Sequence, residues 1–143
     1  MKQCRWLAAA AALAAAALAG CGQKPMPPDL FPATVPGGWH RTSVRALASS
    51  EAPDPVPRTT IERATTARYE GPGKLEARVY ELVSPAVGLD LMQRWRPSAD
   101  TVFFAQGKYF AVIKWQDADR KALEQFIREL EARLGTARKK AGA

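Results

Sequence analysis

Residues 63–83 read Arg63-Ala64-Thr65-Thr66-Ala67-Arg68-Tyr69-Glu70-Gly71-Pro72-Gly73-Lys74-Leu75-Glu76-Ala77-Arg78-Val79-Tyr80-Glu81-Leu82-Val83, and their periodicity decides the fold. After Gly73 the side chains alternate: Leu75, Ala77 and Val79 fall on one side, Lys74, Glu76 and Arg78 on the other. A period of two marks a strand with one buried and one wet face, as in an antiparallel sheet. Arg63 to Glu70 supplies the partner strand. Gly71-Pro72-Gly73 between them predicts a tight turn, since glycine takes positive φ without steric cost and proline fixes its own φ.

Working outward, Trp39 to Leu47 alternates weakly and predicts an edge strand. Val102 to Ala105 and Tyr109 to Trp115 flank Gln106-Gly107-Lys108, the pattern of a second hairpin. The run Tyr109-Phe110-Ala111-Val112-Ile113 is apolar at both parities, which predicts a central strand covered on both faces. Two helices complete the set. Ser84-Pro85 supplies an N-cap and a proline at the first helical position, Val87, Leu91 and Trp95 recur on one side, and Pro97 ends the helix. Asp117 or Asp119 caps the second, whose Leu123, Phe126, Ile127, Leu130 and Leu134 make an apolar stripe closed by Gly135. The expected order is β-β-β-α-β-β-α: an α+β fold with a twisted antiparallel sheet of about five strands and helices packed on one face.

The first residues carry a different signal. Lys2 and Arg5 precede an unbroken apolar run, Leu7 to Ala19. Its length suits a secretory leader and falls short of the roughly 20 residues of a spanning helix. The run ends in Leu18-Ala19-Gly20-Cys21, which resembles the processing site of bacterial lipoproteins. The resemblance implies cleavage between Gly20 and Cys21, with the thiol of Cys21 carrying a diacylglycerol. A thiol has the nucleophilicity that this alkylation needs. Gly22, where inner-membrane lipoproteins tend to have aspartate, implies the periplasmic face of the outer membrane. The competing reading is an ordinary leader with Cys21 incidental.

Cys4 and Cys21 are the two cysteines of the chain, and Cys4 lies in the leader, so the mature protein has no intramolecular disulfide. Removing residues 1–20 from the 143 leaves 123, the size of one domain. The expected layout is leader 1–20, lipidated cysteine and proline-rich tether 21–37, one domain 38–135, and a frayed basic tail 136–143. Prolines 25, 27, 28, 32 and 36 deny the tether a helix or a central strand. Leu30, Phe31 and Val35 within it are apolar enough to dock on the domain. Ser49 to Thr59, with Pro53, Pro55 and Pro57, reads as a surface connection.

A second resemblance covers most of the mature chain. Leu30-Phe31-Pro32, Gly38-Trp39, Tyr69-Glu70-Gly71, Val79-Tyr80-Glu81, Val102-Phe103-Phe104 and Gly107-Lys108-Tyr109-Phe110 together resemble a family of uncharacterised exported bacterial proteins. That likeness implies a fold and an envelope location, and no activity.

No catalytic or cofactor constellation accompanies these elements. His40 is the sole histidine and lies on the expected edge strand; no His/Cys cluster offers a metal site. Asp117 and Asp119 read as capping residues, and Glu129 and Glu131, two apart, project from different helix sides. No glycine-rich phosphate loop follows a strand. No cofactor is expected. The formal charge of +7 falls to +5 without Lys2 and Arg5, and to +2 without Arg138, Lys139 and Lys140, so a nucleic-acid partner is not expected. What remains is a non-enzymatic binding or scaffolding module, held to the membrane by its N-terminal lipid, with an envelope protein or cell-wall polymer as partner. Trp39, Tyr69, Tyr109 and Trp115 are the candidate lining of a groove for a hydrophobic ligand or glycan. A cell-envelope hydrolase is the remaining alternative, and it would require carboxylates to converge.

Overall fold

The computed structural model describes residues 26–142 apart from Pro97. The leader, Cys21, the start of the tether and the expected helix end at Pro97 lie outside the described residues.

Six strands form one antiparallel sheet: β1 (Thr34–Val35), β2 (Trp39–Leu47), β3 (Ile61–Glu70), β4 (Lys74–Leu82), β5 (Thr101–Gln106) and β6 (Tyr109–Gln116), in the order β1-β2-β3-β4-β6-β5. Helix α1 (Pro85–Arg94) joins β4 to β5, and α2 (Arg120–Ala141) follows β6. The fold is thus α+β with an antiparallel sheet. The β3–β4 hairpin turns at Gly71 and Gly73, at φ 149° and 154°. A side chain at Gly73 would also collide with the backbone, its Cβ lying 2.6 Å from the Asp117 carbonyl oxygen. The alternation then sets the register, with Ala67 opposite Ala77 and Tyr69 opposite Leu75.

Four expectations need correction. The sheet has six strands, not about five: Val35 pairs with Trp39 and Thr34 with His40. A two-residue strand fits between Pro32 and Pro36 because at a sheet edge proline's missing N–H faces no partner. That strand also removes β2's first residues from the edge.

The helices do not share one face. Leu75, Ala77 and Val79 of β4, with Tyr109, Ala111 and Ile113 of β6, pack in one core with Phe126, Leu130 and Leu134 of α2. Tyr80 and Leu82, with Phe110 and Val112, pack in a second core with Leu91 of α1. These are opposite parities of the same strands and therefore opposite faces of the sheet.

Gly135 does not end α2, which runs to Ala141 with Gly142 as its C-cap. Glycine serves closeness there, since a Cβ at Gly135 would lie 3.1 Å from the Gln106 side-chain nitrogen of β5. Residues 136–141 are accordingly helix rather than frayed tail, and Arg138, Lys139 and Lys140 form its last turn.

The packed body, finally, begins before Gly38. Met26, Leu30, Phe31 and Val35 are all buried in the α2 core. The docking expected of Leu30, Phe31 and Val35 is present, and Met26 extends it, so most of the supposed tether belongs to the domain.

The helix starts follow their sequence signals. Asp119 caps α2, its carboxylate accepting the Ala122 N–H at 2.9 Å. Ser84 occupies the N-cap of α1 in extended backbone, with Pro85 as first helical residue.

Candidate functional site

The four aromatics expected to line a groove lie on the α2 side of the sheet, and that side is closed. Trp39, Tyr69 and Tyr109 are buried, and Trp115 is half-buried at the end of β6. Phe126 of α2 packs over Trp39 and Tyr69. Its ring meets Tyr69 edge-on at 4.9 Å and Trp39 at 6.1 Å. The polar tips are spent on the fold: Trp39 Nε1 donates to the Ala122 carbonyl at 2.9 Å, and the Tyr69 hydroxyl to the Pro32 carbonyl at 2.9 Å. Burial pushes the Tyr69 phenol up to about 12, so it stays a donor. Tyr69 and Trp115 edge one recess, Tyr109 another and Trp39 neither, so the four do not converge on one open cleft as a hydrophobic-ligand groove requires.

The carboxylates that a hydrolase would need to converge are dispersed. Asp119 is a cap, Asp117 sits in the loop before it, and Glu129 pairs with Arg133 at 2.7 Å while Glu131 is exposed on another side of α2. His40 is exposed on β2, opposite Glu70. Among the described residues no group of three His, Cys, Asp or Glu side chains approaches closely enough to hold a metal ion.

A different cluster assembles at the end of the sheet where β3 and β6 begin and β4 finishes. The Glu81 side chain, only 7% exposed, is bound by Arg63 and, at 2.9 Å, by Lys108; Lys108 also reaches Glu62 at 3.0 Å. Burial would raise the Glu81 carboxyl, but the hydrogen bonds from Arg63 and Lys108 outweigh it and hold it below the ordinary carboxylate range. Glu81 and Glu62 in turn raise the Lys108 ammonium. The sequence carried this signal: Glu81 continues the row Leu75, Ala77, Val79, so a carboxylate ends a buried row and needs cations beside it.

Beside this cluster lies a recess of about 550 Å³ between the second half of α2 and residues 27–30. Arg63, Tyr109, Leu30, Ala137, Arg133 and Lys140 are among its walls. Arg133 fixes the N-terminal segment across it, donating from Nη1 to the Asp29 carbonyl at 2.6 Å. Lys140 stands 3.9 Å from the Asp29 carboxylate. The first described residues and the last turn of α2 therefore share one end of the domain. Arg138 packs over Gly107 at the β5–β6 turn of the same end.

No described helix is long and apolar enough to cross a membrane. No family model matches the chain, and no curated protein or solved structure is similar to it.

Proposed function

We propose that this chain is a bacterial envelope lipoprotein whose small α+β domain is a non-enzymatic binding or scaffolding module held close to the bilayer. One observation carries the reading. The packed body begins at Met26, buried under α2, only five residues beyond the Cys21 of Leu18-Ala19-Gly20-Cys21. Five residues span at most about 18 Å. A domain tied this closely to an acylated cysteine works at the membrane surface and cannot sample the depth of a periplasm.

Two or three acyl chains on Cys21, at about 0.8 kcal/mol per buried methylene, make such an anchor stable. Gly22 in place of aspartate favours the outer membrane. The closed aromatic core and the dispersed carboxylates support a module that acts through its surface. Its partner is then an envelope protein or cell-wall polymer lying within reach of the headgroups.

The test is the intact mass of the protein extracted from membranes, beside a Cys21→Ser version. A chain starting at Cys21 and carrying acyl chains, with the acyl mass lost in the serine version, is the expected result. An unmodified chain cut elsewhere would remove the anchor and leave a free exported domain.

A further inference from the structure

We infer that the end of the domain formed by the last turn of α2 and residues 26–30 is a docking face for an anionic phospholipid leaflet. Its distance argument rests on the lipid-anchor reading above; its charge argument does not.

Chain path comes first. Met26 is buried at this end, and Asp29 is held there by Arg133 and Lys140. With Cys21 fixed in the bilayer, this end lies within about 18 Å of it. Helix α2, at 22 residues, is about 33 Å long, so wherever it stands away from the leaflet it is the end beside Met26 that the short link keeps near the headgroups.

Charge points the same way. Arg138, Lys139 and Lys140 are exposed in the last turn. Among the described residues Arg138 and Lys139 have no acidic partner, and Lys140 reaches only Asp29, at 3.9 Å. A helix C-terminus carries about half a negative charge, which accounts for less than one of these three cations. The opposite end of the molecule is balanced, with Glu70, Asp117 and Asp119 beside Lys74, Arg120 and Lys121. The recess at this end is walled by Arg133 and Lys140 but also by their partners Glu129 and Asp29, so the charge offered to a phosphate-bearing headgroup is chiefly that of Arg138 and Lys139 on the helix end. Basic residues at an anionic surface each contribute about fivefold in partitioning, so three together amount to roughly 100-fold. The attraction is confined to about 8 Å in physiological salt and fades to about 3 Å in molar salt.

The experiment places the membrane-extracted protein in vesicles of phosphatidylcholine alone or mixed with phosphatidylglycerol, and follows hydrogen exchange along α2. In the anionic vesicles exchange at 136–142 should slow at least tenfold, while exchange at 117–121 stays unchanged. Molar salt should remove the protection, as should Arg138→Gln, Lys139→Gln and Lys140→Gln together, which keep helix-forming side chains at exposed sites. Equal exchange in the two vesicle types, with acyl chains present by mass, overturns the docking face and leaves the anchor standing. A chain without acyl groups that still cosediments with phosphatidylglycerol vesicles overturns the anchor and keeps the docking face. A chain with neither loses both.

Discussion

The two faces of the sheet are built from the same strands and end up with different roles. Beneath α2 the face is apolar along most of its length, from Trp39 through Ala67, Ala77 and Ala111 to Tyr109. Beneath α1 it is divided. Tyr80, Leu82, Phe110 and Val112 are covered, with Trp95, Phe103 and Phe110 forming a ring cluster at spacings of 5.5–6.0 Å. Beyond them the same parity turns polar. Arg68 and Arg78 bracket Glu76 at 3.0 and 2.6 Å, and Lys114 follows on β6. Helix length explains the contrast. The strands of nine to ten residues run about 30 Å. Helix α2 matches that at about 33 Å, whereas the ten residues of α1 reach about 15 Å. What a short helix leaves uncovered must face water, and the sequence places an ion ladder there. The lesson is that stability is concentrated under α2, with its continuation Glu81 as the charged boundary.

Truncating the centre of the α2 face should have the largest effect. Phe126→Ala removes the ring that touches both Trp39 and Tyr69, and should cost about 4 kcal/mol in urea unfolding. Leu91→Ala, in the smaller core, should cost about 3 kcal/mol. If Leu91→Ala proved the more damaging of the two, the ranking of the faces would be reversed.

Glu81 sharpens the comparison through pH. Its folded carboxyl titrates below its ordinary value of 4.5, so its contribution is complete above that value and is lost as pH falls through the folded one. Glu81→Gln should therefore lower stability by about 2 kcal/mol near neutrality and flatten the acid limb of the stability curve. An unchanged acid limb would mean that the Arg63–Glu81–Lys108 cluster is not what the fold loses in acid.

Smallest of all should be Arg68→Ala on the open ladder, within about 0.5 kcal/mol, because the pair it breaks is solvent-screened. A larger loss would show that the ion ladder, and not only the apolar half, holds the α1 face together.

The strand hairpin was legible because Lys74 to Val79 alternates without exception around an unambiguous glycine turn. The two-faced sheet was legible in part. Tyr109 to Ile113 is apolar at both parities, and Tyr80 and Leu82 are apolar on the supposedly wet row of β4, so both faces had to be covered. Assigning both helices to one face overlooked that constraint. Strand β1 was hidden by its prolines, since two residues show no periodicity. Gly135 misled because the same residue serves helix ends and close helix–sheet approach. The aromatic groove failed for a related reason: Trp39, Tyr69 and Tyr109 lie on three different strands, and only the fold shows that they share the face that α2 covers. The basic end needed tertiary structure, because Asp29 and Lys140 are brought together by the fold alone.

The central claim is that a short lipidated link holds the basic end of α2 against the bilayer. Its most direct test is the depth of the two helix ends in the acylated protein on anionic vesicles. Single labels at Lys121→Cys and Lys139→Cys would be read by headgroup-bound quenchers. The label at 139 should be quenched and the label at 121, up to about 27 Å farther along the helix, should not. Equal quenching at both positions, or stronger quenching at 121, would contradict the account.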